Sequence, residues 1–147
     1  MVAFSTATAP AVVRTAARAA VTTALAAVVA TVAGTHLAAA ATAGCSVNYT
    51  VSSQWPGGFG AAVTVTNLGD PVTSWRLTWA FTAGQTVTQL WNGSYTQSGA
   101  QVTVTNAAWN GALAPGASVS FGMNGTHTGS NPRPAAFALN GSPCTSA

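Results

Sequence analysis

The sequence predicts an all-β protein, an immunoglobulin-like antiparallel β-sandwich that follows an N-terminal leader. Three observations support this prediction. From residue 45 onward, apolar and polar residues alternate in short runs rich in Val and Thr, as in strands with one buried face. Gly, Pro and Asn interrupt these runs at the spacing of about 8–12 residues that is typical of sandwiches. No stretch beyond residue 44 combines helix-forming residues with a helical period.

The leader, residues 1–43, predicts a secretory signal peptide. Two arginines precede an uncharged apolar run, and small residues close the segment up to Ala43. This order of positive region, apolar region and small-residue cleavage site is typical of exported proteins. The mature domain is therefore expected to comprise residues 44–147, to be extracellular and to have no stable membrane association. Two alternatives stay open: a permanent membrane anchor, and lipidation of Cys45, because the residues before it resemble a bacterial lipobox.

Strands can be placed in order along the mature domain. Residues 61–66 alternate cleanly and end at a turn cluster, residues 67–71. Residues 101–105 alternate as well, and so do residues 117–121, which follow a Pro-Gly turn. Each run is therefore expected to be a strand with one face toward the core.

The stretch 74–81 divides its residues most clearly between two faces. One face carries only large apolar side chains, because successive strand residues point to opposite sides of a sheet: Trp75, Leu77, Trp79 and Phe81. The other face carries mostly polar or small residues: Ser74, Arg76, Thr78 and Ala80. The two tryptophans of this stretch are therefore predicted to be core residues.

The three remaining tryptophans stand in a different context. Trp55, Trp91 and Trp109 each lie beside a predicted turn, with Asn, Gln, Gly or Ser as neighbours rather than runs of Val and Ile. Clustered exposed aromatic residues mark binding sites. These tryptophans could instead close the ends of the core, but their shared context favours a binding face.

The scarcity of charged residues argues against several functions. The chain has 4 Lys and Arg residues and 1 acidic residue, so 3% of it is charged. Paired-carboxylate glycoside hydrolysis and carboxylate metal sites need more acids than Asp70 alone supplies, so no catalytic residue, metal or cofactor is expected. Binding of nucleic acid needs a basic stripe, which is missing. A neutral sugar fits this composition, because its apolar ring faces stack on indole and its hydroxyls bond amides.

Cys45 and Cys144 are the only cysteines and stand near the two ends of the mature domain. In an exported chain such a pair predicts a disulfide. Two free buried thiols are the alternative, and lipidation of Cys45 would leave Cys144 without a partner.

Several motifs resemble the family 2 carbohydrate-binding modules of bacterial cellulases and xylanases, and the resemblance covers nearly all of residues 45–144. The motifs, in matching order, are Gln54-Trp55-Pro56-Gly57-Gly58-Phe59, Ser74-Trp75-Arg76-Leu77-Thr78-Trp79, Gln89-Leu90-Trp91, Trp109-Asn110-Gly111, Phe121-Gly122-Met123-Asn124-Gly125 and Leu139-Asn140-Gly141-Ser142-Pro143-Cys144. The resemblance implies nine strands, a terminal disulfide and a flat face of three coplanar tryptophans.

Carried over by motif, these tryptophans are Trp55, Trp91 and Trp109, with Gln89 and Asn124 as polar neighbours. Xylan binders of the family have an Arg three residues after the first tryptophan, where this chain has Gly58. The resemblance therefore implies the type that binds crystalline cellulose. Ala62 stands where cellulose binders often have Asn, which would weaken the polar part of the face.

The function expected from these observations is that of a secreted, non-catalytic module. It would adsorb as a monomer to insoluble β-1,4-glucan, with chitin as a possible second ligand. One alternative is an enzyme or the remnant of a glycoside hydrolase. A copper-dependent polysaccharide oxidase would need two histidines such as His36 and His127. A structural or adhesive surface sandwich that binds no sugar is the other alternative.

Overall fold

The computed structural model describes residues 43–147, which form nine β-strands. The strands are β1 (Cys45–Trp55), β2 (Gly58–Asn67), β3 (Arg76–Ala80), β4 (Thr86–Trp91), β5 (Gly93–Ser98), β6 (Gln101–Asn106), β7 (Ser118–Thr126), β8 (Phe137–Leu139) and β9 (Ser142–Ser146). The predicted all-β fold and the expected strand number are confirmed. In this part of the chain, no helix is long and apolar enough to cross a membrane. The expected signal peptide lies outside the described residues except for Ala43.

The strands form two layers joined by β9. One layer has the order β4-β7-β2-β1 and the other β8-β3-β6-β5, with antiparallel pairing inside each. Strand β9 pairs antiparallel with β8 and parallel with β1, which departs from a purely antiparallel sandwich. The parallel register places Cys45 opposite Cys144, and the two are bonded as predicted. The disulfide therefore joins the first and last strands.

The core lies between the layers and is rich in aromatic residues. The rings of Trp75 and Trp79 stack on Phe121 of the other layer, with centroids 5.9 and 6.4 Å apart. Leu77 and Phe81 are buried beside them, so the predicted core face of residues 74–81 is confirmed. The strand itself is shorter than that stretch. The backbone N–H of Trp75 donates to Oδ1 of Asn106, so strand pairing begins only at Arg76.

Strands β4 and β5 are the two ends of the sheet order, and side chains of β5 occupy the free edge of β4. Oε1 of Gln97 accepts the backbone N–H of Val87 at 2.8 Å, and its Nε2 donates to the carbonyl of Gln85 at 2.9 Å. The Tyr95 hydroxyl donates to the carbonyl of Val87 at 3.3 Å. The Gln97 amide thus acts as a substitute peptide group, and the edge of β4 is covered rather than open to another chain.

Candidate functional site

Three tryptophans remain exposed although they lie in or beside ordered strands. Trp55 at the end of β1 is 47% exposed, Trp91 at the end of β4 is 50% exposed, and Trp109 in the loop between β6 and β7 is 77% exposed. The two core tryptophans are at most 2% exposed. Exposing half of an indole forgoes roughly 2–3 kcal/mol of burial free energy. Because three tryptophans are exposed in this way, the exposure indicates that the indoles contact another surface.

Trp55 and Trp91 each lie over a glycine of the neighbouring strand. The register pairs Trp55 with Gly58 and Trp91 with Gly122. A Cβ added at Gly58 would stand 2.5 Å from Cε2 of Trp55, and one at Gly122 would stand 2.5 Å from Nε1 of Trp91. Neither glycine has a positive φ. Glycine is therefore needed at these positions because a Cβ would collide with the indole, and not because of the backbone conformation. Each indole thus covers the backbone of a glycine and leaves about half of its surface exposed.

A polar pair lies between these two indoles. Paired residues on neighbouring strands form rows across the sheet, and one such row contains Gly60, Asn124 and Gln89. This row is halfway between the row of Gly58 and the row of Gly122. Nδ2 of Asn124 donates to Oε1 of Gln89 at 3.1 Å. Within residues 43–147, Oδ1 of Asn124 and Nε2 of Gln89 make no hydrogen bond, so the pair offers one acceptor and one donor outward. Rows four residues apart place the indoles about 13 Å from each other along the strands.

Trp109 is connected to this array through its neighbour Asn110. Nδ2 of Asn110 donates to the carbonyl of Asn92, the residue directly after Trp91, at 2.7 Å. Nδ2 of Asn92 donates in turn to the carbonyl of Ser120 on β7 at 3.4 Å. The turn that carries Trp109 is thus held against the Trp91 end of the face. Trp55 and Trp91 therefore lie on one side of the β4-β7-β2-β1 layer with the Asn124–Gln89 pair between them, and the turn of Trp109 adjoins the Trp91 end.

Three residues of this arrangement were not singled out by sequence reasoning: Gly122, Asn92 and Asn110. The triplet Trp-Asn-Gly occurs twice, at residues 91–93 and 109–111, and this repetition is the signal that could have indicated both asparagines. Gly122 has no comparable signal, because its role depends on a side chain 31 positions earlier in the chain.

The face itself carries no charged residue. Arg76 lies on β3 in the other layer, and the guanidinium of Arg133 donates to the carbonyls of Val47 and Ala147. Asp70 lies exposed in the loop after β2. An indole-rich surface without charge suits a ligand that is neutral.

The loop of Asp70 differs from its expected form. The turn sequence Gly69-Asp70-Pro71 predicts that the Asp70 carboxylate bonds nearby backbone amides, and this prediction is wrong, because the carboxylate makes no such bond within residues 43–147. Asn67 does so instead: its Oδ1 accepts the N–H of Gly69 at 3.0 Å, and its Nδ2 donates to the carbonyls of Asp70 and Leu113 at 2.8 and 3.0 Å. Asn67 is 2% exposed and can reach both loops, whereas the Asp70 side chain points to solvent.

His127 uses both ring nitrogens within the fold. Its Nε2 lies 3.2 Å from the carbonyl of Trp55, and its Nδ1 accepts the backbone N–H of Gly129 at 3.2 Å. The side chain is 8% exposed. A buried histidine bonded in this way supports the Trp55 turn and is not available as a metal ligand. His36, the second ligand of the oxidase alternative, lies outside the described residues. In the described part of the chain no three His, Cys, Asp or Glu side chains cluster around a possible metal position.

A cavity of about 610 Å³ lies on the opposite layer, lined by Ser74, Arg76, Thr105, Asn106 and Asn140 among others. Its two asparagines hydrogen-bond to the backbone of the sandwich. Oδ1 of Asn106 accepts the N–H of Trp75 at 2.9 Å, and Oδ1 of Asn140 accepts the N–H of Arg76 at 2.8 Å. No aromatic ring is exposed there, so the cavity lacks the stacking surface that the tryptophan face offers.

A sandwich with an uncharged face that carries exposed indoles has the organisation of a carbohydrate-binding module. Residues 45–144 match the family described as "Cellulose binding domain", and the chain belongs to this family. The suspected resemblance to family 2 carbohydrate-binding modules is thereby confirmed.

Relatives and solved structures agree with this assignment. The chain is 55% identical over 102 residues to Exoglucanase B of Cellulomonas fimi, an alignment that covers 69% of the chain and 9% of that enzyme. The chitin-binding domain of a Streptomyces coelicolor protein has 44% identity and a TM-score of 0.57, covering 68% of this chain and 93% of that domain. A cellulose-binding family 2 carbohydrate-binding domain has 39% identity and a TM-score of 0.51, covering 64% and 91%. The chain thus spans a small part of the enzyme and nearly all of each binding domain.

Proposed function

We propose that this protein is a secreted, non-catalytic module that adsorbs to the flat surface of an insoluble β-1,4-linked polysaccharide through Trp55, Trp91 and Trp109. The observation that carries the proposal is the pair of half-exposed indoles that lie directly over Gly58 and Gly122. The rings of a β-1,4-linked chain expose apolar C–H faces that stack on such indoles. A flat platform can contact a crystal surface, whereas an upright ring suits a single chain wrapped around it.

Gln89 and Asn124 supply the polar part of the contact. Their mutual hydrogen bond fixes both amides between two stacking platforms and leaves a donor and an acceptor for sugar hydroxyls. Since indoles and amides alternate along the face, each stacked ring would have hydroxyls within reach of an amide. Three aromatic contacts of about 1–3 kcal/mol each, the range known for bases stacked on aromatic side chains, would dominate the binding free energy.

Cellulose is the ligand we favour, and chitin is the second candidate. Gly58 keeps the first indole flat, as a crystalline surface requires. Ala62 is exposed in the same row as Gly122 and contributes no polar group there. The solved relatives include a chitin-binding and a cellulose-binding domain at 44% and 39% identity, so both ligands belong in the first binding assay.

The absence of catalysis is part of the proposal. Asp70 is the only carboxylate side chain in the sequence and lies exposed in the loop after β2. Glycoside hydrolysis needs a second carboxyl group on the other side of the scissile bond. Purified protein should release no reducing sugar from cellulose or chitin. Release that disappears in the Asp70→Asn variant would contradict this part of the proposal.

The direct test is adsorption to microcrystalline cellulose and to chitin. Trp55→Ala, Trp91→Ala and Trp109→Ala should each weaken adsorption while the unfolding temperature stays nearly unchanged. Leu68→Ala is the matched control, because Leu68 is 50% exposed but lies in the loop after β2, off the face. Adsorption should also change little between low and high salt, because no ion pair is available to screen. Wild-type adsorption by the triple tryptophan variant would refute the proposal and favour a structural surface protein.

A further inference from the structure

We propose that Asn110 is a positioning residue that holds the indole of Trp109 in line with that of Trp91, an inference that rests on the function proposed above. Trp109 is the most exposed tryptophan, at 77%. Within residues 43–147, no hydrogen bond or ring–ring contact holds its side chain. The place of this indole on the face is therefore set by the backbone of its turn.

Asn110 closes that turn and ties it to the core. Its Oδ1 accepts the backbone N–H of Ala107 at 2.7 Å, and its own N–H donates to the carbonyl of Ala107 at 3.4 Å. Its carbonyl accepts the indole N–H of the buried Trp75 at 2.8 Å. The next residue is Gly111, where an added Cβ would stand 2.7 Å from the carbonyl of Thr73. Asn110 and Gly111 thus pack the turn tightly against the body of the sandwich.

The remaining polar group of Asn110 reaches the other part of the face. Nδ2 donates to the carbonyl of Asn92 at 2.7 Å. The donor residue directly follows Trp109, and the acceptor residue directly follows Trp91. One hydrogen bond therefore joins the immediate neighbours of two indoles that belong to different loops.

This connection matters because a crystalline ligand cannot adapt its shape. Two platforms contact a flat lattice simultaneously only if their height and spacing match it before binding. A turn that moves independently of β4 would have to be ordered on contact, at a cost in binding free energy. Asn110 orders the turn before the ligand binds, since its side chain is hydrogen-bonded to Ala107 and to Asn92 in the unbound protein.

Asn110→Asp tests this role with a minimal change. The aspartate keeps the size of the side chain and the oxygen that accepts the N–H of Ala107, but it puts an oxygen where Nδ2 faces the carbonyl of Asn92. Asn140→Asp is the matched control. In the other layer, Oδ1 of Asn140 accepts the N–H of Arg76 at 2.8 Å and its Nδ2 donates to the carbonyl of Ser74 at 3.2 Å. Both variants add one negative charge and lose one donor.

The dissociation constant on microcrystalline cellulose should rise roughly three- to tenfold in Asn110→Asp, as for one lost hydrogen bond, and should not change in Asn140→Asp. In the Trp109→Ala background, Asn110→Asp should add no further loss, whereas its effect should be additive with Trp55→Ala. Thermal unfolding checks that the variants are folded. If Asn110→Asp does not fold, Asn110→Ser takes its place, because serine retains an acceptor but cannot reach Asn92.

Three results would overturn the inference. Unchanged adsorption of folded Asn110→Asp is one, and full additivity with Trp109→Ala is another. The third is a Trp109→Ala variant that binds like the wild type. This last result would also remove Trp109 from the proposed face, whereas the first two leave the proposed function intact.

Discussion

Gly122→Ala should weaken adsorption without unfolding the protein, because the added methyl group displaces an indole. Its Cβ would stand 2.5 Å from Nε1 of Trp91, where ordinary contacts begin at 3.4 Å, so the ring must lift by about 1 Å or rotate upright. Trp91 is 50% exposed, which leaves about 100 Å² of ring surface for a ligand. At 25 cal/mol per Å², the loss of this contact costs about 2.5 kcal/mol, or close to a hundredfold in the dissociation constant.

The assay compares adsorption isotherms on microcrystalline cellulose with thermal unfolding of the same variants. Gly69→Ala is the matched control, since Gly69 also has no positive φ and a Cβ there would make an ordinary 3.6 Å contact with the carbonyl of Gly44. Gly122→Ala should add no loss to Trp91→Ala. Wild-type adsorption by Gly122→Ala, or a loss that persists in full in the Trp91→Ala background, would refute the argument that Gly122 acts by giving the indole room to lie flat.

Three further predictions concern the fold. Trp75→Ala should lower the free energy of unfolding by about 3–5 kcal/mol in chemical denaturation, because it empties a fully buried site; a loss below 1 kcal/mol would contradict its core role. Reduction of the Cys45–Cys144 bond, which closes a separation of 99 residues, should cost about 4–5 kcal/mol in the same assay, and a thiol-alkylated protein of unchanged stability would speak against this. Burial raises the pKa of Tyr49 well above its ordinary value near 10. The fold therefore keeps its full stability below pH 10 and loses stability as the pH rises further, because Tyr49 ionises more readily in the unfolded chain. Tyr49→Phe should remove that alkaline loss and raise stability at neutral pH by up to about 1 kcal/mol, since the Tyr49 hydroxyl is buried without a partner among the described residues. Tyr95→Phe, which loses a hydrogen bond to β4, should be destabilising by contrast, and equal effects of the two substitutions would refute the assignment.

Much of the fold follows from local pattern. Alternation along residues 61–66 and 74–81 separates core from surface, because a strand has a fixed two-residue period. Boundaries were less accurate. Residues 117–121 predicted only the first half of β7, which continues through Gly122 and Gly125 to Thr126. Those glycines weaken a strand pattern when it is read alone, and they are tolerated here because Trp91 and Phe59 fill the space beside them.

Local context also separated the two kinds of tryptophan. Apolar neighbours at every second position indicated burial for Trp75, and polar turn neighbours indicated exposure for Trp109; the structure agrees on both. This works because burial of a strand residue depends mainly on the side of the sheet to which it points. Composition alone predicts against a pair of catalytic carboxylates, because the sequence has a single acidic residue.

Only the tertiary structure decided how the exposed indoles are held. Trp91 lies over Gly122 because β4 pairs with β7 in that register, and the turn of Trp109 is joined to the residue after Trp91 because Asn110 reaches the carbonyl of Asn92. These contacts join residues 18 to 31 positions apart, and no local period encodes them. A one-residue shift in register would put a side chain in place of the glycine. The sequence by itself therefore indicated which indoles are exposed, whereas strand pairing determined that Trp55 and Trp91 lie over glycines of neighbouring strands on one side of the layer.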